Sequence, residues 1–398
     1  MRVAIVSTYP PKQCGLATFA ADLRAALAQS TLVDAVVVAA IVDELADESP
    51  NGSEGEILIE RENRHSYRRA AQQIETAGVD VVVVQHEYGI FGGPDGSYVL
   101  DLVGELACPV AVTLHTVLSH PSRNQREILD ELCALADRVV VFTESSRALL
   151  LEHHPMDPSK VVVVPHGAPP ELFTDRGEEP AATRISTFGL LSDNKGLELL
   201  LSALPEVVRE YPDVFVTVAG RTHPEVHRRE GERYRHGLLD TVARLGLQRH
   251  VEFRNQFLST EELARLLKET AIYVTPYRSS EQVVSGTLTF ALAAGCAIVS
   301  TPYQYAVDML SSGAGLLVPF DDAESLADAL LQLLRDPVQL KEMRNESDRL
   351  GAQLSWPSVG ATLAALLRQC VDERSWTPVL EPEKQTEALD ARTAAAVA

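Results

Sequence analysis

The chain opens with MRVAIVSTYPPKQCGLA, residues 1–17, and this stretch decides the fold class. Val3–Ser7 is a short apolar run that predicts a buried β-strand, and Ala17–Ala28 has the apolar stripe of a helix. Between them lies a loop with two prolines and Gly15. A strand, a proline- and glycine-rich loop and a helix in this order are typical of a parallel α/β fold.

The same alternation continues along the first part of the chain. A helical pattern covers about Asn124–Ala136. Near-continuous apolar runs predict further parallel strands that are covered on both faces. They are Ala35–Val42, Val79–Gln85, Val110–His115, Val139–Phe142 and Val161–Pro165.

The alternation pauses at Ala168–Thr183, where prolines, glycine and acidic residues predict a linker, and then resumes. Helical patterns in the second series cover Leu197–Arg209, Thr260–Lys268 and Ala323–Arg335. The second set of predicted strands is Arg184–Phe188, Val214–Ala219, His250–Phe253, Ala271–Val274, Ala297–Ser300 and Gly315–Val318.

Two similar α/β halves in tandem therefore predict two doubly wound domains. We place their boundaries at residues 1–172 and 183–355, followed by a helix over 356–375 and a flexible tail over 381–398. The acidic segment Asp43–Glu60 is predicted to be an exposed loop.

The composition excludes several classes of protein. The 398 residues include 35 Lys plus Arg and 56 Asp plus Glu, which gives a formal net charge of −21. A protein that coats nucleic acid needs a basic face, so nucleic acid is not an expected partner. Purely electrostatic attachment to anionic lipid is disfavoured for the same reason.

Cysteine usage and hydropathy indicate the compartment. The five cysteines are scattered and form no C-x-x-C pair, so neither a disulfide framework nor a zinc site is expected. Apolar runs stay well short of the ~20 residues of a membrane span. With no signal-peptide pattern before the first strand, we expect a soluble cytoplasmic protein without a transmembrane segment. Peripheral membrane contact and oligomeric state stay open.

Polar residues follow several predicted strands of the first half. The loop before Gly15 and Leu16 leads into a helix N-terminus, which presents free N–H groups suited to an anion, although an ordinary turn has the same pattern. His115 ends one strand, and the segment His86-Glu87-Tyr88 follows another. The carboxyl ends of parallel strands are where doubly wound folds bind ligands, so a hydroxyl-rich ligand is indicated. The alternative is a pair of structural histidines.

The second half carries two comparable segments. Gly189 ends a strand and Lys195 leads into a helix, an arrangement suited to phosphate. Ser285-Gly286-Thr287 precedes another helix and offers amide and hydroxyl donors, while Glu281 or Gln282 just upstream can bind ligand hydroxyls. The alternatives are a solvated helix start for Lys195 and a solvated loop charge for Glu281.

Together these segments resemble glycosyltransferase family 4 over roughly residues 1–370. Individual matches are weak, but their order and spacing are characteristic. The matching segments are the Pro-Pro…Gly15 loop, His115, Thr143-Glu144-Ser145, Pro165-His166-Gly167, Gly189…Lys195-Gly196, Glu281 through Gly295, Ala294 through Thr301, Gly313 through Pro319 and Trp356 before a last helix.

The resemblance implies the GT-B architecture, in which two Rossmann-like, doubly wound parallel-sheet domains face a central cleft. It also implies retaining transfer of a hexose from a nucleotide-sugar co-substrate, with no cofactor and no metal required. The donor would lie mostly on the second domain. The acceptor, a saccharide, lipid or small molecule, would lie mostly on the first.

The resemblance also assigns roles to residues of this chain. Lys195, His115 and Glu281 would be catalytic, with Lys195 stabilising the departing diphosphate. The residues that contact substrate or line the cleft would include His86, Glu87, Tyr88, Thr143 and His166. The donor would be bound by Gly15, Leu16, Gly189, Lys195, Arg221, Gln282, Ser285, Gly286 and Thr287.

Three positions depart from the family pattern. Family members usually carry two glutamates eight residues apart before the alanine-glycine turn, where this chain has Gln282 and Phe290. The second glutamate commonly holds the ribose. An arginine that usually follows the glycine of the phosphate motif is Leu190 here. Arg221 and Arg278 are the candidates to replace its charge, and a surface salt bridge is the alternative for each.

These departures keep two further hypotheses open. One is a non-catalytic nucleotide-sugar-binding or assembly subunit, motivated by the missing glutamate and arginine. The other is a phosphorylase that uses free phosphate in place of a nucleotide. The sequence does not choose between a GDP-mannose and a UDP-glucose type of donor, and it does not identify the acceptor.

Overall fold

The structure, a computed structural model, describes residues 1–44, 56–173 and 179–375. Within these ranges the first sheet has seven parallel strands in the order β3-β2-β1-β4-β5-β6-β7. Their bounds are β1 Arg2–Ser7, β2 Ala35–Val42, β3 Glu56–Glu60, β4 Val81–His86, β5 Val110–Leu114, β6 Arg138–Val141 and β7 Val161–Val163.

Helices cover both faces of this sheet, as a parallel sheet requires. Their bounds are α1 Gly15–Ala28, α2 Arg64–Thr76, α3 Val99–Val103, α4 Arg123–Leu135 and α5 Glu144–His153. Capping residues explain where two of them begin. The Cys14 sulfur accepts a hydrogen bond from the Ala17 amide at the start of α1, and Ser122 and Gln125 form a reciprocal capping box at the start of α4.

The second sheet, in the same described ranges, has six parallel strands in the order β10-β9-β8-β11-β12-β13. Its strands are β8 Arg184–Phe188, β9 Phe215–Ala219, β10 Val251–Arg254, β11 Ile272–Thr275, β12 Ala297–Ser300 and β13 Gly315–Leu317. The helices of this half are α6 Leu197–Glu210, α7 Pro224–Glu230, α8 Arg233–Arg244, α9 Thr260–Lys268, α10 Gly286–Ala293, α11 Gln304–Leu310, α12 Ala323–Arg335 and α13 Pro337–Gly351.

The last helix, α14 (Trp356–Ser375), returns to the first half and packs against α1. The Trp356 indole N–H donates to the Asp22 carboxylate at 3.1 Å, and a Cβ on Gly360 would lie 2.7 Å from the Ala26 Cβ. One apolar cluster includes buried residues of both halves. This packing agrees with the expected course of residues 356–375, while the exact domain boundaries stay a prediction.

Two expectations from the sequence were wrong. The end of the acidic segment, Glu56–Glu60, is not a loop but the edge strand β3, paired with β2. The sequence of Ser66–Gln73 shows no clear apolar face, but this segment belongs to α2, which buries Tyr67, Ala70 and Ile74. Residues 45–55 of the predicted loop, 174–178 of the predicted linker and the whole predicted tail over 381–398 lie outside the described residues.

Candidate functional site

The strand order of each sheet locates the site. The order reverses between β1 and β4 in the first sheet and between β8 and β11 in the second. Ligands of doubly wound folds bind at the carboxyl ends of the strands where this reversal opens a crevice. The β1–α1 loop, residues 8–14, lies at the first reversal, and the β8–α6 loop, residues 189–196, lies at the second.

Side-chain contacts show that these two edges face each other across a cleft. The Arg221 guanidinium, after β9, donates to the Gln13 side-chain carbonyl at 2.9 Å. The Ser119 hydroxyl, after β5, donates to the Glu281 carboxylate on the β11–α10 loop. Residues from both halves therefore meet at the predicted site.

The β1–α1 loop presents an open helix N-terminus. Gly15 is the first residue of α1 and is exposed, and a Cβ placed on it would meet no atom within 4 Å. Leu16 beside it is half-buried. The backbone at Gly15 therefore faces free space, where an anion can approach it closely.

His115 is held in one orientation and is neutral. Its Nε2 lies 2.8 Å from the Gln85 Oε1, and its ring packs edge-on against Phe19 and Phe142 with centroids 4.8 Å and 5.0 Å away. Burial, with smaller contributions from His166 and His86, lowers the pKa of His115 to about 3. Because Gln85 occupies Nε2, Nδ1 is the ring nitrogen available to a ligand.

His166 lies between the first half and α10. Its Nδ1–H donates to the Gly167 carbonyl at 2.7 Å, so Nε2 carries the lone pair of the neutral ring. That Nε2 lies 3.2 Å from the position that a Cβ on Gly286 would take. Burial lowers the pKa of His166 to about 4, so both cleft histidines are uncharged at neutral pH.

The segment after β4 lies deeper than the sequence suggested. His86 is fully buried and stacks on Phe91, and burial lowers its pKa to about 4. Glu87 accepts a hydrogen bond from the Thr116 hydroxyl, and burial raises the pKa of this carboxyl. The buried Tyr88 hydroxyl donates to the Gln125 carbonyl at 3.4 Å. His86 and Tyr88 are thus buried beneath the strand edge, and Glu87 is half-buried beside them.

Thr143 has a structural task as well. It is the N-cap of α5, and its hydroxyl accepts from the Ser146 amide at 3.1 Å. The next residue but one, Ser145, donates to Asp308 on α11 of the second half. The segment 143–146 therefore joins the two halves at one end of the cleft.

On the opposite side, Gly189 and Lys195 line one small pocket together with Leu190 and Tyr277. The Lys195 ammonium lies 3.9 Å above the centroid of the Tyr277 ring, within the range of a cation–π contact. Among the described residues, Lys195 has no carboxylate within ion-pair distance. Its charge is therefore available to an anionic ligand.

The N-terminus of α10 lies beside this lysine. Ser285 is the N-cap and accepts from the Leu288 amide at 3.3 Å, so its hydroxyl is already engaged. The Thr287 hydroxyl is 2.7 Å from the Tyr277 hydroxyl, and a Cβ on Gly189 would lie 3.5 Å from the Thr287 methyl carbon. The amides that begin at Gly286 thus share one corner of the cleft with Lys195.

The positions that depart from the family pattern have other partners. The Gln282 side chain donates to the Val284 carbonyl of its own loop at 3.0 Å. Phe290 stacks on Phe188 with centroids 6.4 Å apart, and it also approaches His166. An apolar pair therefore occupies the place where the family pattern has a carboxylate.

The two candidate arginines differ in their partners. Arg278 lies 3.8 Å from Glu198 and 3.5 Å from Asp321, so its charge is already balanced. Arg221 contacts only the neutral Gln13 side chain among the described residues and is exposed at the cleft mouth. Arg221 is the better placed of the two to replace the missing family arginine.

Three functional contacts were not expected from the sequence. They are Tyr277 under Lys195, Gln85 on His115, and Ser119 on Glu281. Each pair is separated by 30 or more positions, so local pattern carries no signal for it. In the described residues, no group of three His, Cys, Asp or Glu side chains is arranged to hold a metal ion, and no helix is long and apolar enough to cross a membrane.

Two family models divide the chain between them at the same place as the two sheets. Residues 14–172 match the model described as glycosyltransferase family 4, and residues 182–336 match that of glycosyl transferases group 1. The chain belongs to the group 1, family 4 glycosyltransferases. The matched regions include the second strand-order reversal and the cleft residues described above from Gly15 to Phe290.

Curated relatives of this glycosyltransferase act on inositol compounds, according to their names. A phosphatidyl-myo-inositol mannosyltransferase of Mycolicibacterium smegmatis is 30% identical over 167 residues, covering 42% of this chain and 36% of that protein. A D-inositol 3-phosphate glycosyltransferase of Corynebacterium aurimucosum is 29% identical over 268 residues, covering 61% and 59%. The chain thus matches less than two thirds of the length of these two relatives.

Solved structures match the glycosyltransferase over nearly its whole length. Sucrose-phosphate synthase from Thermosynechococcus elongatus has a TM-score of 0.74 at 17% identity and covers 94% of this chain and 99% of its own. The Anabaena protein HepE in complex with UDP has a TM-score of 0.74 at 14% identity and covers 93% and 100%. These likenesses establish the GT-B fold of two Rossmann-like domains.

Proposed function

We propose that this glycosyltransferase is a retaining enzyme that moves a hexose from a nucleotide-sugar donor to a hydroxyl group of its acceptor. One observation carries the proposal. Lys195, which has no carboxylate within ion-pair distance in the described ranges, shares a corner of the cleft with the N-terminus of α10, and the neutral His115 and His166 belong to the facing half. Positive charge on one side and uncharged hydrogen-bonding groups on the other suit a diphosphate joined to a sugar.

Lys195 and the α10 amides would stabilise the charge that develops on the departing diphosphate. In the reaction, the bond from the anomeric carbon to the phosphate oxygen breaks and a bond to the acceptor oxygen forms on the same face. The acceptor proton passes to the departing phosphate oxygen. No covalent protein nucleophile and no metal ion is assigned to this step.

His115 would hold the sugar through its free Nδ1, which can accept a hydrogen bond from a sugar hydroxyl. Its low pKa keeps it neutral, so it orients the sugar without adding charge beside the reacting carbon. Glu281 would bind sugar hydroxyls after exchanging its present partner, the Ser119 hydroxyl. Closure of the two halves would exclude water and limit donor hydrolysis.

The names of the curated relatives and of the similar solved structures suggest which donors and acceptors to propose. A solved neighbour binds UDP, and a relative is named a mannosyltransferase, so UDP-glucose and GDP-mannose are the first donors to consider. Inositol compounds in the relatives' names make a cyclitol hydroxyl the first acceptor to test. We also propose a cytoplasmic location, where the five cysteines stay without disulfides.

A thermal-shift screen with UDP, GDP, ADP and their hexose conjugates tests the proposal. A ligand that binds the native state raises the melting temperature, and one nucleotide family should do so selectively. The selected donor is then incubated with myo-inositol and inositol phosphates, and transfer is measured. Binding without transfer or hydrolysis would favour the non-catalytic binder. Stabilisation by inorganic phosphate alone would favour the phosphorylase.

A further inference from the structure

Tyr277 lies between the two segments that are proposed to hold the diphosphate. It follows β11 at the start of the loop that leads to α10, and its side chain is buried. Lys195 is on the other segment, between β8 and α6. None of the roles proposed above includes this tyrosine.

The ring of Tyr277 contacts Lys195 directly. The ammonium lies 3.9 Å above the ring centroid, close enough for the negative face of the ring to attract it. The same ring stacks on the fully buried Tyr303, with centroids 5.0 Å apart and an interplanar angle of 20°. Stacking on a buried side chain therefore fixes the Tyr277 ring in place.

The hydroxyl of Tyr277 connects the same ring to α10. It lies 2.7 Å from the Thr287 hydroxyl, which in turn lies 3.1 Å from the hydroxyl of the N-cap Ser285. One side chain therefore contacts the cation with its face and the first turn of the helix with its edge.

The backbone fixes the two segments together as well. The Arg278 amide donates to the Asn194 carbonyl at 3.0 Å. Gly196 has a φ of 60° and packs so tightly that a Cβ on it would lie 1.9 Å from the Pro276 carbonyl oxygen. Residues 194–196 and 276–278 thus form one unit, in which Tyr277 is the side chain that faces Lys195.

We propose that Tyr277 is a positioning residue that holds the Lys195 ammonium beside the N-terminus of α10, so that the cation and the helix amides form a single diphosphate site. The inference rests on the proposed function, because it takes Lys195 to bind the donor diphosphate. The lysine side chain is flexible, so the aromatic face beneath it is needed to keep the ammonium group at one position beside the diphosphate.

A double-mutant cycle on the full chain tests this role. The variants are Tyr277→Leu, Lys195→Met and the double variant, with UDP, uridine and inorganic pyrophosphate as probes. Tyr277→Leu should weaken UDP and pyrophosphate binding about tenfold and leave uridine binding unchanged, since only the phosphates contact the lysine. In the Lys195→Met background, Tyr277→Leu should have no further effect on binding of either anion.

Two more variants separate positioning from simple support of the fold. Tyr277→Phe keeps the ring and should restore most of the anion affinity that Tyr277→Leu loses. Tyr67→Leu removes an equally buried tyrosine from α2, whose hydroxyl bonds the Arg61 carbonyl at 2.9 Å, and should lower the melting temperature without changing UDP affinity. In turnover, Tyr277→Leu should lower kcat more than it raises KM.

The outcomes distinguish the inference from the proposed function. If Tyr277→Leu weakens anion binding equally with and without Lys195, the positioning role is wrong while the transferase proposal stands. If the cycle shows coupling but the wild type transfers no sugar, only the proposed function fails. If the wild type binds none of UDP, GDP, ADP and pyrophosphate, both are wrong.

Discussion

The Nε2 atom of His115 lies 2.8 Å from the Oε1 atom of Gln85, and the two side chains stand at the carboxyl ends of the neighbouring strands β5 and β4. Both are buried, and the contact sets which ring nitrogen carries the proton. The cleft therefore has a neutral histidine with its Nδ1 lone pair available. Two predictions follow from this pair.

Replacing Gln85 by Leu removes the hydrogen bond that fixes the orientation and the tautomer of the His115 ring. We expect kcat/KM to fall about tenfold, the value of one lost hydrogen bond, with little change in nucleotide affinity. A second variant at this position, Gln85→Glu, is informative because a carboxylate beside Nε2 raises the pKa of His115. As the pH falls, this variant should then lose activity at a higher pH than the wild type does. A profile identical to that of the wild type would show that His115 does not contact the donor.

The lowered pKa values of the buried histidines predict acid sensitivity. His86, His115 and His166 have pKa values of about 4, 3 and 4 in the folded state, each lowered chiefly by burial. The unfolded chain, with histidine pKa values near 6.5, binds these protons first as the pH falls. The free energy of unfolding should therefore decrease from about pH 6.5 to pH 4, by up to about 2 kcal/mol per histidine at pH 5. Urea unfolding at pH 7 and pH 5 measures this.

His86 offers the matched variant for that experiment. Neither of its ring nitrogens has a hydrogen-bond partner among the described residues, so an apolar side chain of similar size loses no hydrogen bond there. His86→Leu should reduce the loss of stability at pH 5 and keep transferase activity. A loss of activity in a folded His86→Leu variant would instead indicate that His86 binds substrate.

Asp22, under the last helix, should respond to pH in the opposite direction. Burial raises its pKa to about 6, partly offset by the hydrogen bond from Trp356. The folded state holds this proton more tightly than the unfolded state, so its contribution to stability is present below about pH 4 and is lost as the pH rises through 6. Asp22→Asn keeps an acceptor for the indole. Its melting temperature should exceed that of the wild type at pH 8 and equal it at pH 4, and a difference independent of pH would refute this assignment.

Gly196 should be irreplaceable for a geometric reason. Its φ is 60°, and a Cβ would lie 1.9 Å from the Pro276 carbonyl oxygen, so Gly196→Ala must displace the Lys195 turn. We expect a loss of about 2 kcal/mol in the free energy of unfolding together with a large loss of kcat. Gly246→Ala is the control, since Gly246 has a φ of 71° but open space around its Cβ position. It should be destabilised by strain alone and keep its activity.

The sequence predicted the sheet framework well because buried parallel strands are continuous apolar runs. Arg184–Phe188, Ala297–Ser300 and Thr260–Lys268 have the predicted bounds in the structure. The edge strand β3 was missed because EILIE carries charge at both ends and follows an acidic stretch. Helix α2 was missed because its buried face has only two large apolar residues, Tyr67 and Ile74, and this gives a weak apolar signal.

The candidate site was predictable only in outline. His115, Lys195 and Ser285 could be placed because each follows a predicted strand or begins a predicted helix. The contacts that give them a definite chemistry depend on tertiary packing, as between Lys195 and Tyr277, which are 82 positions apart in the sequence. The departures at Gln282 and Phe290 were visible, but the stacking of Phe290 on Phe188 required the structure.

The most direct test of the account is an NMR assay of sugar transfer by the wild type and by Lys195→Ala. We predict that the product keeps the anomeric configuration of the donor. We also predict that Lys195→Ala folds normally but loses about 10²-fold or more in kcat, as expected for the loss of one group that stabilises the departing charge. A product of inverted configuration, or full turnover by a folded Lys195→Ala variant, would contradict the central claim.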